Sequence, residues 1–308
     1  MIKLIALIGP TAVGKTKISH ELAEKFPLEI VSCDSMQIYR GMDIGTAKPA
    51  SEDREKYSHH MIDVVSPDYH YSAGEYACDA GKVIEGIAKR GKTPLISGGS
   101  GLYLDALVYG ISSMPKANLA LRKKLGQEAA QKGSAFLHEL LKEIDPISAK
   151  KLHPNDLNRI IRAIEVYQLT GEPMSEIQKV KSKIQDYHCL IIGIARPRPQ
   201  LYERIDMRVD NMFDNGLVEE VKILIKQGYN PELSSFQALG YKEVANYLNG
   251  NFTLEEAKEK VKTSTRNFAK RQMTYFRKNK DIKWFVLDEE RQEIFEEVEK
   301  FISKRKSD

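Results

Sequence analysis

Cysteine is scarce in this sequence of 308 residues: Cys33, Cys78 and Cys189 are the whole supply. They are odd in number, far apart and never spaced as Cys-x-x-Cys, which excludes a disulfide framework and a zinc site of paired thiols. They are expected to be small buried apolar side chains. Long apolar runs are missing as well. No stretch approaches the roughly 20 residues that a membrane-spanning helix needs, so no membrane association is expected. The apolar start, residues 1–8, runs straight into a glycine-rich turn without a small-residue cleavage site, so it reads as a strand and a cytoplasmic location is expected. Internal repeats and low-complexity tracts are absent too. A chain of this length buries a sizeable core, as one large domain with an insertion or as two domains.

Strong net charge is also lacking, since the total is only +4, but the charge is unevenly placed. Residues 258–283 hold ten Lys/Arg against Glu259 and Asp281, a local net of +8. The rest of the chain is therefore slightly acidic. A hidden basic stripe of this kind suggests a polyanionic partner.

Short continuous apolar runs alternate with helical patterns in the first third, the signature of buried parallel strands joined by helices. The expected strands are 4–8, 29–33, 61–65 and 94–97. Ser72 and Glu75 form a capping box that opens a helix ending near Gly91. From about residue 112 the chain turns rich in Leu, Ala, Lys and Glu, and no strand-like run returns until 189–195. The expected fold is α/β, a P-loop NTPase-like parallel sheet core over 1–111 plus 188–308 with a mainly helical insertion domain over 112–187. A last strand is expected at 283–287.

Gly9-Pro10-Thr11-Ala12-Val13-Gly14-Lys15-Thr16 matches G-x-x-x-x-G-K-[ST] without deviation, directly after a strand and before an amphipathic helix. Glycines let backbone amides curl around phosphate oxygens, and the helix N-terminus adds partial positive charge. Lys15 supplies a point charge and Thr16 a ligand for Mg²⁺. The loop predicts a bound di- or triphosphate; on its own it points to ATP or GTP binding and does not say which group moves. Asp34-Ser35-Met36-Gln37 falls at the carboxyl end of the second strand, where ligands of open α/β sheets bind, so its carboxylate is able to face the phosphates. His59 and His60 invite a metal reading, but neighbours on a strand point to opposite faces, and a structural role is expected for both.

Gly-Pro-Thr-Ala-x-Gly-Lys-Thr together with Asp34-Ser-x-x-x-Tyr-Arg-Gly-Met-Asp-Ile-Gly-Thr-Ala-Lys-Pro49 resembles the tRNA dimethylallyltransferase family in its bacterial form. His59-His-Met-Ile-Asp63, Ser97-Gly-Gly-Ser-Gly-Leu-Tyr103, His153-Pro-Asn-Asp-x-Asn-Arg159, Gly240-Tyr241 and Lys270-Arg-Gln-x-Thr274 are similar to further segments of that family, in the same order. The resemblance implies transfer of a dimethylallyl group from dimethylallyl diphosphate to N6 of adenine 37 in the tRNA anticodon stem-loop, with Mg²⁺. It assigns Asp34 as the base that takes a proton from a poorly nucleophilic amine. Lys15, Thr16 and the loop amides then stabilise the leaving diphosphate. It also implies roles for Ser100 and for Arg208 as a diphosphate clamp, and RNA contacts at Arg122 and at Asn158, Arg159, Ile160, Ile161 and Arg162. The Ser35, Met36 and Gln37 segment and Gln237-Ala238-Leu239-Gly240-Tyr241-Lys242 complete the implied RNA surface. In the last segment an aromatic ring and a cation flank a glycine, a composition suited to stacking on an unpaired base. The target base is expected to leave its stack.

On the basic segment, Arg266, Lys270 and Arg277 recur at helical spacing, with Val261, Phe268, Gln272 and Tyr275 on the opposite, buried stripe. The position of Tyr275 usually carries Trp in the family. The paired cysteines and histidines of the C-terminal zinc finger of eukaryotic members are lacking in this sequence, so a member of bacterial type is expected. A monomer is expected. The competing readings are an isopentenyltransferase acting on free adenine nucleotide, a P-loop nucleoside or small-molecule kinase, and a nucleotide-gated RNA-binding module. A kinase does not need the basic helix, the free-nucleotide enzyme does not need the insertion, and a binding module does not need Asp34.

Overall fold

The computed structural model describes residues 1–180, 182 and 186–304. The chain divides into two compact units, Met1–Val108 with Ile184–Asp308, and Tyr109–Lys183. The second unit begins three residues before the expected position 112. Residues 181, 183–185 and 305–308, which fall at the end of the expected insertion and of the expected core, lie outside the described residues.

The first unit is built on β1 (Ile2–Ile8), whose residues 4–8 are fully buried, as a strand covered on both faces requires. Each large aliphatic side chain removed from water there contributes about 1.5–3 kcal/mol. It is followed by α1 (Lys15–Lys25), β2 (Leu28–Cys33), α2 (Ser51–Lys56), β3 (His59–His60), α3 (Ala73–Lys89), β4 (Thr93–Gly98) and α4 (Gly101–Val108). Among the described residues the strands form one parallel sheet of order β3-β2-β4-β1, continued by β5 (Tyr187–Ala195) and β6 (Ile282–Val286). Connections from β1 run toward β2 and β3, and the chain reappears as β5 on the other side. The crevice above the carboxyl ends at that divergence is where open α/β sheets bind ligands.

Local chemistry fixes the helix starts. Ser72 Oγ accepts from Glu75 N at 3.2 Å and Ser72 N donates to Glu75 at 2.9 Å, so the expected capping box opens α3, and Gly91 stops it with φ +74°. Tyr76 on α3 is fully buried, stacks on Tyr103 of α4 at 4.2 Å and donates to Ser32 O at 3.0 Å, fastening both helices to β2. The cysteines only partly meet the expectation of burial: Cys33 is buried, Cys189 half-buried and Cys78 exposed.

The expected strand at 61–65 is not one. β3 is only His59–His60, because Met61 and Asp63 take left-handed φ values of 61° and 55°. Asp63 thereby presents its carboxylate to Lys48 Nζ at 2.6 Å and Arg54 at 2.7 Å, and Val65 retains only an isolated bridge to Tyr39. The two histidines point apart, His59 to His20 at 3.0 Å and His60 to Glu29 at 2.7 Å.

The second unit comprises α5 (Leu119–Lys132), α6 (Ser134–Ile144), α7 (Pro146–Lys151), α8 (Leu157–Thr170) and α9 (Met174–Ile177). Leu125, Leu137, Leu141, Ile160 and Ile164 form its core. Returning to the first unit, β5 leads into α10 (Arg198–Asp214), α11 (Leu217–Lys226), α12 (Tyr241–Leu248) and α13 (Leu254–Phe276). β6 and α14 (Arg291–Ser303) end the described chain.

Gly98 lets β4 lie close beside β2: a Cβ there would sit 2.0 Å from the Cys33 carbonyl oxygen. Gly98→Ala is therefore expected to lose about 1–3 kcal/mol of stability as the strands are forced apart, read as a lowered midpoint in urea unfolding; an unchanged midpoint would refute this packing.

Candidate active site

The phosphate loop occupies the turn from β1 into α1, and four of its carbonyls are turned toward cations. Lys15 Nζ donates to Gly9 O at 2.9 Å and Pro10 O at 2.8 Å, Arg204 Nε to Ala12 O at 3.0 Å, and Arg196 Nε to Val13 O at 2.8 Å. Arg196 is itself paired with Asp288. Oxygens that would repel an anion are thus neutralised, while the first amides of α1 have no partner within the helix. Ala12 has φ 62°, a left-handed value that a side-chain-bearing residue adopts at a cost. Gly9 is required because a Cβ there would meet Ile194 O at 2.6 Å. Burial pulls the Lys15 amine down to about 8, partly opposed by the negative charge of Asp34.

Asp34 follows β2 directly. Its Oδ1 accepts from Met36 N at 2.9 Å, a short local turn that fixes the carboxylate. Ser100, just after β4, donates its amide to Cys33 O at 3.0 Å and accepts from Ser35 N at 2.9 Å through Oγ. Gln37 accepts from Ser32 Oγ at 3.0 Å and donates to Ala47 O at 3.3 Å. Arg208, four residues after Arg204 on α10, reaches Thr46 O at 3.4 Å. Burial lowers the Arg208 pKa, and the charge of Asp34 works against that shift. Asp34 therefore lies within the field of two cations, Lys15 and Arg208.

These groups line one cavity of about 580 Å³ that includes residues of the phosphate loop, Asp34, Ser100, Arg208, Gln237 and Gln272. The loop that carries Thr46 and Ala47 is held by Glu220 of α11, whose carboxylate accepts from Asp43 N at 2.9 Å, Ile44 N at 2.8 Å and Gly45 N at 3.2 Å. Its remaining donor is the Tyr241 hydroxyl at 2.5 Å.

The structure corrects the expectation that the Tyr241 ring stacks on a base. Tyr241 is fully buried with its ring against Gly45, and Phe236 is fully buried too, so neither ring is presented to a ligand. Gln237, Ala238 and Leu239 do line the cavity, and Lys242 is exposed. The Tyr275 ring is likewise not in the buried stripe of α13. It is 39% exposed and its hydroxyl donates to Asp105 at 2.5 Å, while Val261, Thr265, Ala269, Gln272 and Phe276 form that stripe.

Several basic residues are already paired. Arg266 grips Asp206 through two hydrogen bonds, and Lys258 and Lys262 share Asp210 at 2.9 and 3.0 Å. Lys270, Arg271, Arg277 and Lys278 remain exposed, and Arg271 also lines the cavity. In the second unit, Arg122 and Arg162 both bind Glu165, which is 0% exposed. Burial pushes that carboxyl up, and the two arginines together with the Asn118 amide more than offset it. Ile160 and Ile161 are core residues there, whereas Asn158 and Arg159 are exposed. Arg196, Arg204, Glu220 and Gln272 carry no role in the sequence reading. Arg204 left a signal by lying one helical turn before Arg208, and Gln272 left one only as a position on the buried stripe.

The IPP transferase family profile matches residues 37–279, and the isopentenyl transferase profile matches residues 2–65. The tRNA dimethylallyltransferase of Caldanaerobacter subterraneus is 48% identical over 305 residues, covering 96% of this chain and 97% of its own. That of Geobacter sulfurreducens is 47% identical over 283 residues, covering 92% and 91%. Among solved structures, the tRNA isopentenylpyrophosphate transferase of Bacillus halodurans is similar with 40% identity and a TM-score of 0.71 over 98% of this chain and 96% of its own. A eukaryotic dimethylallyltransferase acting on tRNA is similar with 30% identity and a TM-score of 0.83, over 99% and 80%.

With its pKa lowered, Lys15 is charged below about pH 8 and loses its charge above it. Affinity for inorganic pyrophosphate is therefore expected to fall as pH rises through about 8, and Lys15→Arg to remove that limb relative to the native protein. A native affinity that holds until about pH 10.5, the ordinary lysine value, would contradict this.

Proposed function

The chain belongs to the IPP transferase family, and from that premise we propose that it transfers the dimethylallyl group of dimethylallyl diphosphate to N6 of adenine 37 in tRNA. The observation that supports this most directly is a cavity lined by both the phosphate loop and Asp34. A leaving diphosphate and a base thereby face one reacting centre.

In this reading the diphosphate lies against the amides of residues 12–16, and Lys15 turns from the Gly9 and Pro10 carbonyls to a phosphate oxygen. N6 attacks C1 of the prenyl group, the C1–O bond breaks, and its electron pair leaves with the diphosphate. Asp34 takes the proton that N6 loses, and preorganised charge at Lys15, Arg208 and the loop receives the developing negative charge. Ser100 holds the Ser35 amide and thereby the turn that carries the base.

Thr16 lines the cavity. It is an oxygen donor suited to a hard cation, and among the described residues no cluster of three or more His, Cys, Asp or Glu forms a metal cage. Both facts fit Mg²⁺ held mainly by the substrate's phosphates, where the ion would supply neutralising charge. RNA would meet Gln237, Ala238, Leu239, Lys242 and the exposed cations of α13, with Asn158 and Arg159 contributing from the second unit. The proposed setting is cytoplasmic and the proposed state monomeric. Among the described residues no helix is long and apolar enough to cross a membrane.

Incubation with labelled dimethylallyl diphosphate is expected to label tRNA and leave AMP unlabelled. Asp34→Asn should lower the transfer rate by about 10² or more while tRNA binding persists. Label in AMP alone would reject the substrate assignment, and a native rate in Asp34→Asn would reject the base.

A further inference from the structure

Gln272 makes two contacts that the transfer mechanism does not use. Its side chain is 7% exposed on α13, where Oε1 accepts from Thr11 N at 2.8 Å and Nε2 donates to Gly99 O at 3.0 Å. One bond reaches the phosphate loop, 261 residues away in sequence, and the other reaches the turn after β4, 173 residues away. Room for it depends on glycine: a Cβ at Gly99 would lie 2.2 Å from Gln272 Nε2. Three residues further along α13, the Tyr275 ring would lie 2.3 Å from a Cβ at Gly101.

The turn that Gln272 holds is the one that steadies the base. Gly99 precedes Ser100, whose amide donates to Cys33 O and whose hydroxyl accepts from Ser35 N, on either side of Asp34. Hydrogen bonds therefore lead from Thr11 in the diphosphate cradle through Gln272 to Gly99 and, past the Gly99–Ser100 peptide bond, from Ser100 to the residues flanking Asp34. We propose that Gln272 is a positioning residue that sets the separation between the diphosphate cradle and the base, without touching the reacting atoms.

Chemistry restricts what can fill this place. The bridge needs a donor and an acceptor at one end of a side chain of this length, which a neutral carboxamide supplies. An ionised glutamate side chain would keep the acceptor and set a charge against the Gly99 carbonyl, and a methionine side chain would keep the length with neither group. Displacing either wall by a fraction of an ångström lowers the fraction of encounters in attack geometry, and that loss is not recovered by saturating with substrate. Gln272 lies on the same helix as Lys270, Arg271 and Arg277, but both of its hydrogen-bond partners belong to the phosphate loop and the turn after β4 and neither to that exposed set, so tRNA affinity should not depend on it.

The inference rests on the proposed transfer, and one experiment separates the two. Single-turnover transfer from labelled dimethylallyl diphosphate, with both substrates saturating, is compared for the native protein, Gln272→Met and Gln272→Glu, alongside tRNA affinity and thermal unfolding. Native transfer with at least a tenfold slower step in both variants, and tRNA affinity within twofold of native, is the expected result. If Gln272→Met fails to fold, Gln272→Glu alone carries the comparison. Native rates in the folded variants, or a loss that follows tRNA affinity alone, would overturn the role of Gln272. No transfer by the native protein would overturn the functional reading first and this inference with it.

Discussion

Three adjacent parallel strands end level with one another, and the cavity depends on that register. Ile8 of β1 pairs with Gly98 of β4, and Gly98 pairs with Cys33 of β2. The residues that follow these three positions are the start of the phosphate loop, the turn that bears Ser100, and Asp34. A slip of one residue would turn each strand's side chains to the opposite face and separate these groups. The close approach of Gly98 to Cys33 makes such a slip costly, since any side chain placed there would collide with the Cys33 backbone.

On that frame the electrostatics are arranged before any ligand arrives. Four loop carbonyls are capped by Lys15, Arg204 and Arg196. The same burial that draws Lys15 down to about 8 makes it gain from an anion, since an opposite charge restores its preference for the protonated form. Asp34 supplies some of that compensation in the free protein. A diphosphate leaving group, which carries several negative charges, would supply more. The stabilising charge is then fixed in place instead of being assembled from solvent during reaction.

What the sequence discloses depends on how far apart the interacting residues are. The phosphate loop and the Ser72 capping box close within a few residues, and their patterns name them. The parallel core follows from buried apolar runs such as 4–8 and 29–33. By contrast, residues 61–65 look apolar enough for a strand, yet left-handed backbone at Met61 and Asp63 serves the partners Lys48 and Arg54, which composition does not reveal. Tyr241 resembles an RNA-facing ring until Glu220, on another helix, takes its hydroxyl. Arg122 and Arg162 resemble free cations until Glu165 is found between them. Gln272 was legible as a buried position, but its two partners lie in the first third of the chain.

The account is tested most directly by a structure with an anticodon stem-loop and an unreactive thiolo analogue of dimethylallyl diphosphate. It predicts the diphosphate on the amides of residues 12–16, Lys15 Nζ moved off the Gly9 and Pro10 carbonyls, and an Asp34 carboxylate oxygen about 3 Å from N6 of adenine 37. A diphosphate bound elsewhere, or a target amine out of hydrogen-bond reach of Asp34, would contradict it.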